Sequence, residues 1–168
     1  MSARPIRHVL AAVLSLAFLG ATPVAHAQKG SSGLPIPRFV SLAAKEVNLR
    51  AGPGKNYPVT WVFVRKGLPV MVTAEFEYWR KVRDLDGAEG WVHKNLLSNR
   101  RAAVITDDLA TLRRAPENGA APVLRAEQGV VGRLLACQEK WCQLEIADRE
   151  GWLARQQIFG ILPDEIFD

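Results

Sequence analysis

The stretch Val47-Asn48-Leu49-Arg50-Ala51-Gly52-Pro53 occurs twice in this chain of 168 residues. The second copy is Ala110-Thr111-Leu112-Arg113-Arg114-Ala115-Pro116, which keeps the Leu-Arg pair and the proline. A period of about 60 residues is typical of a duplicated small domain and is too long for one solenoid unit. The repeat therefore predicts two related domains in tandem.

Tryptophans extend the repeat beyond this stretch. Trp79 is matched by Trp141, and Gly90-Trp91 is matched by Gly151-Trp152. The spacing between the copies shrinks slightly from the leucines to the Gly-Trp pairs, which is what single-residue deletions in loops would produce. Four of the five tryptophans thus occupy repeated positions.

Each copy has the pattern of a small all-β domain. In the first copy, valines of high β propensity flank the turn signal at residues 66–69, and Asp86-Gly87 is a typical hairpin turn. A sheet of about 60 residues exposes its edges unless it closes, which favours a barrel. We predict an all-β fold of two tandem small barrels. The predicted segments are a linker at residues 28–38, barrels at 39–98 and 102–162, and a tail at 163–168.

The run of residues 46–54, with Trp79 and Gly90-Trp91-Val92, resembles the bacterial SH3 domain family. With the opening at residues 34–40 and the late cysteines, residues 34–162 resemble exported proteobacterial proteins that carry two SH3-like domains. The resemblance implies two SH3-like barrels and a cell-wall peptide or an envelope protein as partner. In the second copy, Ala115 and Glu117 replace the two glycines of the family motif.

Residues 1–27 have the pattern of a cleaved signal peptide. Arg4 and Arg7 precede an apolar run at residues 9–21, and Ala25-His26-Ala27 supplies a small-x-small cleavage site. Cleavage between Ala27 and Gln28 would release a periplasmic or secreted protein. The apolar run is too short to span a bilayer comfortably, so we expect a mature form that is not embedded in a membrane.

Charge is distributed unevenly along the predicted mature chain. Residues 39–100 carry 10 basic and 6 acidic side chains, whereas residues 101–168 carry 8 basic and 11 acidic side chains. The net charge of +3 for residues 28–168 is too small to indicate nucleic acid binding. The asymmetry is compatible with independently solvated surfaces, with electrostatic docking of the two halves, or with an anionic partner for the first half.

The first copy holds the candidate ligand-binding residues. Trp79 begins a predicted strand after an acidic and aromatic loop, and SH3-like barrels generally bind with aromatic side chains beside variable loops. We expect a groove around Trp79, although packing within the barrel is an alternative role. The candidate aromatic residues are Trp79, Tyr57, Phe76 and Tyr78, and the candidate basic residues are Arg50, Lys81 and Arg83.

Structural roles are expected for the remaining motif residues. Gly52-Pro53-Gly54 predicts a tight loop in which glycine supplies a positive φ. Gly90 and Gly151 are expected to let the following tryptophan ring lie over the backbone, as part of barrel packing.

Cys137 and Cys142 flank a predicted four-residue loop between two strands, which places them opposite each other across a hairpin. An even cysteine count in an exported chain favours a disulfide. A metal site or a redox pair is the alternative. Two ligands without a nearby histidine make a poor metal site, and redox pairs normally have the tighter C-x-x-C spacing.

The sequence predicts no enzyme, no cofactor and no metal site. Cell-wall peptidases need a thiolate and a histidine base, but His93 is the sole histidine of the predicted mature chain. The leading hypothesis is an exported, non-catalytic binding module for cell-wall peptide or an envelope protein. The alternatives are a scaffolding protein of the envelope with docked barrels and, more remotely, a cell-wall hydrolase.

Overall fold

The computed structural model describes residues 28–167, so the predicted signal peptide and its cleavage site at Ala27 lie outside the described residues. A short antiparallel hairpin opens the described chain, with β1 at Gln28–Lys29 and β2 at Pro35–Ile36. The segment predicted as a linker therefore contains paired strands.

Barrel one is a seven-stranded antiparallel sheet with the order β5-β4-β8-β7-β6-β3-β9. A 3₁₀ turn at Lys94–Leu96 separates its last two strands. The strands are β3 (Arg38–Leu42), β4 (Val47–Arg50), β5 (Val59–Phe63), β6 (Pro69–Phe76), β7 (Trp79–Arg83), β8 (Glu89–His93) and β9 (Leu97–Ser98).

Barrel two repeats this topology with the order β12-β11-β15-β14-β13-β10-β16. Its 3₁₀ turn lies at Arg155–Gln157. The strands are β10 (Ala102–Ile105), β11 (Leu109–Arg113), β12 (Pro122–Glu127), β13 (Val131–Cys137), β14 (Trp141–Ile146), β15 (Arg149–Ala154) and β16 (Ile158–Phe159). The predicted all-β fold with two tandem domains is confirmed.

Each sheet wraps around a single apolar core. In barrel one, Phe63 on β5 and Leu42 on β3 belong to the same buried cluster, although four strands lie between them in the sheet order. Five inter-strand steps would separate these strands by about 24 Å in a flat sheet, so the sheet must curl to bring them together. Leu49 and Leu112, the repeated motif leucines, lie in the two cores at 1% and 0% exposure.

Hydrogen bonds align the two barrels residue by residue. Gly67 donates to the carbonyl of Leu42 at 2.8 Å in barrel one, and Gly129 donates to that of Ile105 at 2.9 Å in barrel two. Both glycines have a positive φ, of 83° and 79°, which a side chain would disfavour. We call two residues matched positions when they occupy the same place in the repeated sequence and in the equivalent strand or loop of the two barrels.

One pair of matched positions is crosslinked by different chemistry in the two barrels. Cys137 and Cys142 are cross-strand partners joined by a disulfide, with 4.1 Å between their Cα atoms, which confirms the predicted bridge. The matched positions in barrel one are Glu75 and Arg80, which are also cross-strand partners. The Nε of Arg80 lies 3.0 Å from the Glu75 carboxylate. An ion pair thus occupies the place of the disulfide.

The barrels touch each other through apolar and backbone groups. The rings of Phe39 and Phe159 meet edge to face at a centroid distance of 5.0 Å. The Arg65 guanidinium donates to the carbonyl of Gly129 at 2.6 Å. No ion pair among the described residues joins the barrels, so the contact does not rest on the opposite charges of the two halves.

Candidate functional site

Strand β7 presents two chemically different sides, because successive side chains of a strand alternate. Val82 points into the core and is fully buried. Trp79, Lys81 and Arg83 occupy the alternate positions and therefore share the outer side of the sheet. Each of the three pairs with a residue at an alternate position of the neighbouring strand, β8.

Cross-strand pairs assemble an outer surface that we call the tryptophan face. Residues directly opposite each other lie on the same side of a sheet. Phe76 pairs with Trp79 and Trp79 with His93, while Trp91 is flanked by Lys81 and Arg50. The tryptophan face of barrel one consists of Arg50, Phe76, Trp79, Lys81, Arg83, Glu89, Trp91 and His93.

The predicted central residue, Trp79, is covered by its neighbours. Its side chain is 9% exposed, and the His93 ring lies against it edge to face at 5.4 Å. Phe76, at 51% exposure, and Tyr78, at 58%, carry the accessible aromatic surface instead. The Tyr78 ring stacks on His93 with 6.2 Å between the ring centroids. Trp79 therefore lies beneath the His93 ring, and the more exposed aromatic side chains surround it.

Two basic residues of the face, Lys81 and Arg83, share the carboxylate of Glu89. Glu89 accepts from Lys81 Nζ at 2.9 Å and also pairs with Arg83. Hydrogen bonds from Lys81 and Arg83 lower the pKa of Glu89 below its usual value. Arg50 is directed elsewhere, since its Nη1 donates to the carbonyls of Lys55 and Tyr57. One cation of the Lys81–Arg83 pair is left without a compensating charge on the face.

Trp91 is a member of the face that sequence reasoning placed in the barrel packing. That expectation was wrong, because neither buried core cluster contains a tryptophan and Trp91 faces outward with Lys81 and Arg50. Its neighbour Gly90 faces inward, where a Cβ would lie 2.6 Å from Leu49 Cγ. The glycine makes room for the core leucine rather than for the tryptophan ring.

The loop glycine Gly52 also has a different role from the one predicted. It is not among the glycines with positive φ. Instead, a Cβ at Gly52 would lie 2.4 Å from the Tyr57 ring. The matched positions in barrel two are Ala115 and Ala120, a small pair in place of a glycine and a large ring. The loop of barrel one is therefore built to hold Tyr57, which is 44% exposed.

The substitution Gly52→Ala is expected to destabilise barrel one by about 1–2 kcal/mol, since the new methyl group overlaps the Tyr57 ring. Adding Tyr57→Ala should relieve the overlap, as the Ala115 and Ala120 pair does in barrel two. A double-mutant cycle by urea denaturation checks this expectation. Strictly additive effects would contradict the proposed packing of Tyr57 on Gly52.

A cationic pocket, which sequence reasoning missed, opens beside the tryptophan face. It has a volume of about 240 Å³. Its charged lining is basic, contributed by Arg38, Arg80 and Lys94. The full lining is Leu34, Arg38, Val40, Arg80, Lys94, Asn95, Leu97 and Asn99.

Glu75 anchors the buried side of this pocket. Its carboxylate accepts from Arg38 Nη2 at 2.7 Å and from the backbone N–H of Ser32 at 2.7 Å. It also forms an ion pair with Arg80, whose Nε lies 3.0 Å away. Burial raises the pKa of Glu75, but the hydrogen bonds from Ser32 and Arg38 and the charge of Arg80 outweigh burial and lower this pKa to about 2. The carboxylate is therefore ionised, and it fixes both arginines in place. Lys94 extends over the Tyr78 ring at 4.9 Å.

Two further findings concern residues 28–167, the part of the chain that the structure describes. No group of three or more histidine, cysteine or acidic side chains is arranged to hold a metal ion there. No helix of this part of the chain is long and apolar enough to cross a membrane.

Comparison with known proteins identifies the family. The model described as "Bacterial SH3 domain" matches residues 43–99 and 106–160, which together make up most of the chain. No curated protein matches.

Similar solved structures include two proteins from Trichomonas vaginalis and one from Bacillus cereus ATCC 10987. NlpC2 from T. vaginalis is 11% identical, with a TM-score of 0.34 over 73% of this chain and 48% of that chain. NlpC1 from the same organism is 11% identical, with a TM-score of 0.35 over 82% and 50%. An NlpC/P60 family protein from B. cereus is 13% identical, with a TM-score of 0.33 over 72% and 55%. This chain spans about half the length of these proteins.

The two matches to the family model show that the chain belongs to the bacterial SH3 domain family.

Proposed function

We propose that this chain is an exported, non-catalytic module that binds cell-wall peptides on the tryptophan face of barrel one. Membership of the bacterial SH3 domain family supports a binding role. The predicted signal peptide supports a periplasmic or secreted location. Free carboxylates of cell-wall peptides would meet the basic side chains of the face, and their backbones would lie along its exposed aromatic rings.

The charge difference between matched faces is the observation that carries this proposal. In barrel one, Arg50, Lys81 and Arg83 outweigh Glu89, so the face has a net charge of +2. The matched positions in barrel two are Arg113, Gln143, Glu145 and Glu150, which give a net charge of −1. Arg133 lies beside them and pairs with Glu145.

The two barrels also differ in the aromatic side chains at matched positions, and barrel one has more of them. Phe76, Tyr78 and His93 of barrel one are matched by Gln138, Lys140 and Ala154 in barrel two. The tryptophans themselves are retained in both barrels, so they do not account for the difference. Barrel one alone combines exposed aromatic rings with excess positive charge, and we assign it the ligand.

The double substitution Lys81→Gln/Arg83→Glu is expected to reduce retention on purified peptidoglycan at least tenfold. It installs the residues of the matched positions Gln143 and Glu145, which the same fold accommodates, and it removes the positive charge of the face. A sedimentation assay with isolated sacculi, at two salt concentrations, measures the retained fraction. Screening at high salt should weaken the wild-type protein in the same way.

Trp79→Ala and Trp141→Ala provide a matched control pair. Each removes the tryptophan that begins an equivalent strand, β7 in barrel one and β14 in barrel two. Both substitutions therefore lower stability. Retention should fall for Trp79→Ala and persist for Trp141→Ala. If the folded wild-type protein is not retained on sacculi at all, the cell-wall proposal fails.

A scaffolding role is the second candidate, and the contact between the barrels favours it. Phe39 and Phe159 meet edge to face between the two domains, and this contact would help to present both outer faces to an envelope protein in a fixed relation. Crosslinking in the envelope would then capture one protein partner, and Phe159→Ala would reduce that capture. Retention on sacculi without a protein partner would favour the first candidate.

A further inference from the structure

The cationic pocket of barrel one has a counterpart in barrel two that is filled by the end of the chain itself. The matched position of Arg38 is Arg101, and this arginine forms an ion pair with Glu165 in the C-terminal segment. The Arg101 Nη2 also donates to the carbonyl of Gly160 at 3.0 Å. A carboxylate from the segment at residues 162–167 is thus bound at this end of barrel two.

Backbone groups of the same segment complete the contact. Arg155, the matched position of Lys94, donates to the carbonyls of Leu162 and Glu165. Phe167 pairs with Cys137 as an isolated antiparallel bridge, with N–H to carbonyl distances of 2.6 and 3.1 Å. The segment predicted as a tail therefore packs against barrel two as a bound acidic peptide would.

In barrel one, the described segment that packs at this end, residues 28–37, brings no carboxylate to the pocket. The carbonyl of its Pro35 accepts from Arg38 Nη1 at 3.2 Å. The N-terminal residues contact barrel one on the Glu75 side, where Ser32 donates from both its backbone N–H and its hydroxyl. Leu34 reaches the pocket wall. Lys94, Asn95 and Asn99 remain exposed at its rim.

Charge points to the kind of occupant. In barrel two, Arg101 and Arg155 face one carboxylate, Glu165, which leaves a net charge of +1. In barrel one, three cations (Arg38, Arg80 and Lys94) face one carboxylate, Glu75, which leaves +2. One further carboxylate in the pocket would restore the balance found in barrel two, and charge-assisted hydrogen bonds to arginine and lysine would hold it.

We infer that the cationic pocket binds a short acidic segment of a partner protein, with the chemistry of residues 161–167 of this chain. A carboxylate would lie near Arg38 and Lys94, and an apolar neighbour would contact Leu34 and Val40. The corresponding segment of a second copy is an unfavourable occupant, since it is engaged by its own barrel two. This inference is independent of the tryptophan face and stands whether or not that face binds cell-wall peptides.

A synthetic peptide, Ile-Leu-Pro-Asp-Glu-Ile-Phe, labelled at its N-terminus and amidated at its C-terminus, tests the inference against the full mature protein. Fluorescence anisotropy should show saturable binding that weakens at least tenfold with Lys94→Glu or Asn99→Asp. Both positions are exposed, so both variants are expected to fold. A peptide with glutamine in place of its glutamate should bind at least tenfold more weakly to the wild type.

Lys140→Glu is the control, because this exposed residue of barrel two lies outside the pocket and should leave binding unchanged. Binding that is insensitive to Lys94→Glu would mean that the peptide exchanges with the segment in barrel two, which overturns the inference. Absence of binding to the wild type, or concentration-dependent dimers competing with the peptide, would also overturn it.

Selective binding of a cell-wall stem peptide over the protein peptide would assign the pocket to the cell wall instead. Lys81→Gln/Arg83→Glu should not affect the peptide, so failure here is distinguishable from failure on the tryptophan face.

Discussion

Replacing Glu75 by glutamine is expected to lower the free energy of unfolding of barrel one by about 3–5 kcal/mol, the usual effect of removing one partner from a buried ion pair. The Glu75 side chain has no exposed surface, and those of Arg38 and Arg80 are 15% and 9% exposed. Glutamine keeps the shape of the side chain but leaves two guanidinium groups without a negative charge in a poorly solvated place. Urea denaturation at neutral pH measures the loss.

The pH dependence of the same variant gives an independent check. In the folded protein the pKa of Glu75 is about 2, against 4.5 for an unperturbed glutamate. A depressed folded-state pKa contributes stability that is fully present above pH 4.5 and is lost as the pH falls towards 2. The difference in stability between wild type and Glu75→Gln should therefore shrink by about 3 kcal/mol over this interval.

Glu77→Gln is the matched control for both measurements. Glu77 lies in the turn of the same hairpin, and its side chain is exposed. Its removal should change stability by less than about 0.5 kcal/mol, as is usual for an exposed surface position. Equal losses for Glu75→Gln and Glu77→Gln would show that the buried ion pair contributes nothing specific.

The repeat made the fold predictable. Matched tryptophans and the Leu-Arg pair indicated the tandem arrangement, and the hairpin turn at Asp86-Gly87 is present, with Gly87 at a φ of 86°. The disulfide was predictable because a short loop between two strands leaves the cysteines opposite each other. These features depend on local sequence and on the alternation of strand residues, which a single sequence displays.

Contacts between distant strands were not predictable in the same way. Arg38 and Glu75 are 37 residues apart and meet through the pairing of β3 with β6, whose register no local pattern reveals. One signal was available, however. The spacing that aligns Trp79 with Trp141 also places Glu75 and Arg80 on Cys137 and Cys142. A charged pair aligned with a disulfide pair indicates cross-strand partners.

Some members of the candidate site were predictable from the sequence, but its arrangement was not. Phe76, Lys81 and Arg83 do share one face with Trp79, because alternate residues of a strand and their partners lie on the same side. Burial of Trp79 depends on His93, which reaches it from the next strand. Whether these residues bind a ligand stays a prediction, to be tested with the sacculi and the matched tryptophan variants.

The double substitution Cys137→Ala/Cys142→Ala is expected to lower the free energy of unfolding of barrel two by about 3 kcal/mol. Closing the small loop contributes about 2 kcal/mol through the entropy of the unfolded chain. Loss of two fully buried sulfur atoms from the core adds about 1 kcal/mol. Because Cys137 also pairs with Phe167, amide hydrogen exchange should accelerate in β13, in β14 and at Phe167, while barrel one keeps its protection. Reductant should reproduce the entropic part of the loss in the wild type and leave the double variant unchanged. A wild-type protein whose unfolding is indifferent to reductant would contradict a stabilising role for this bridge.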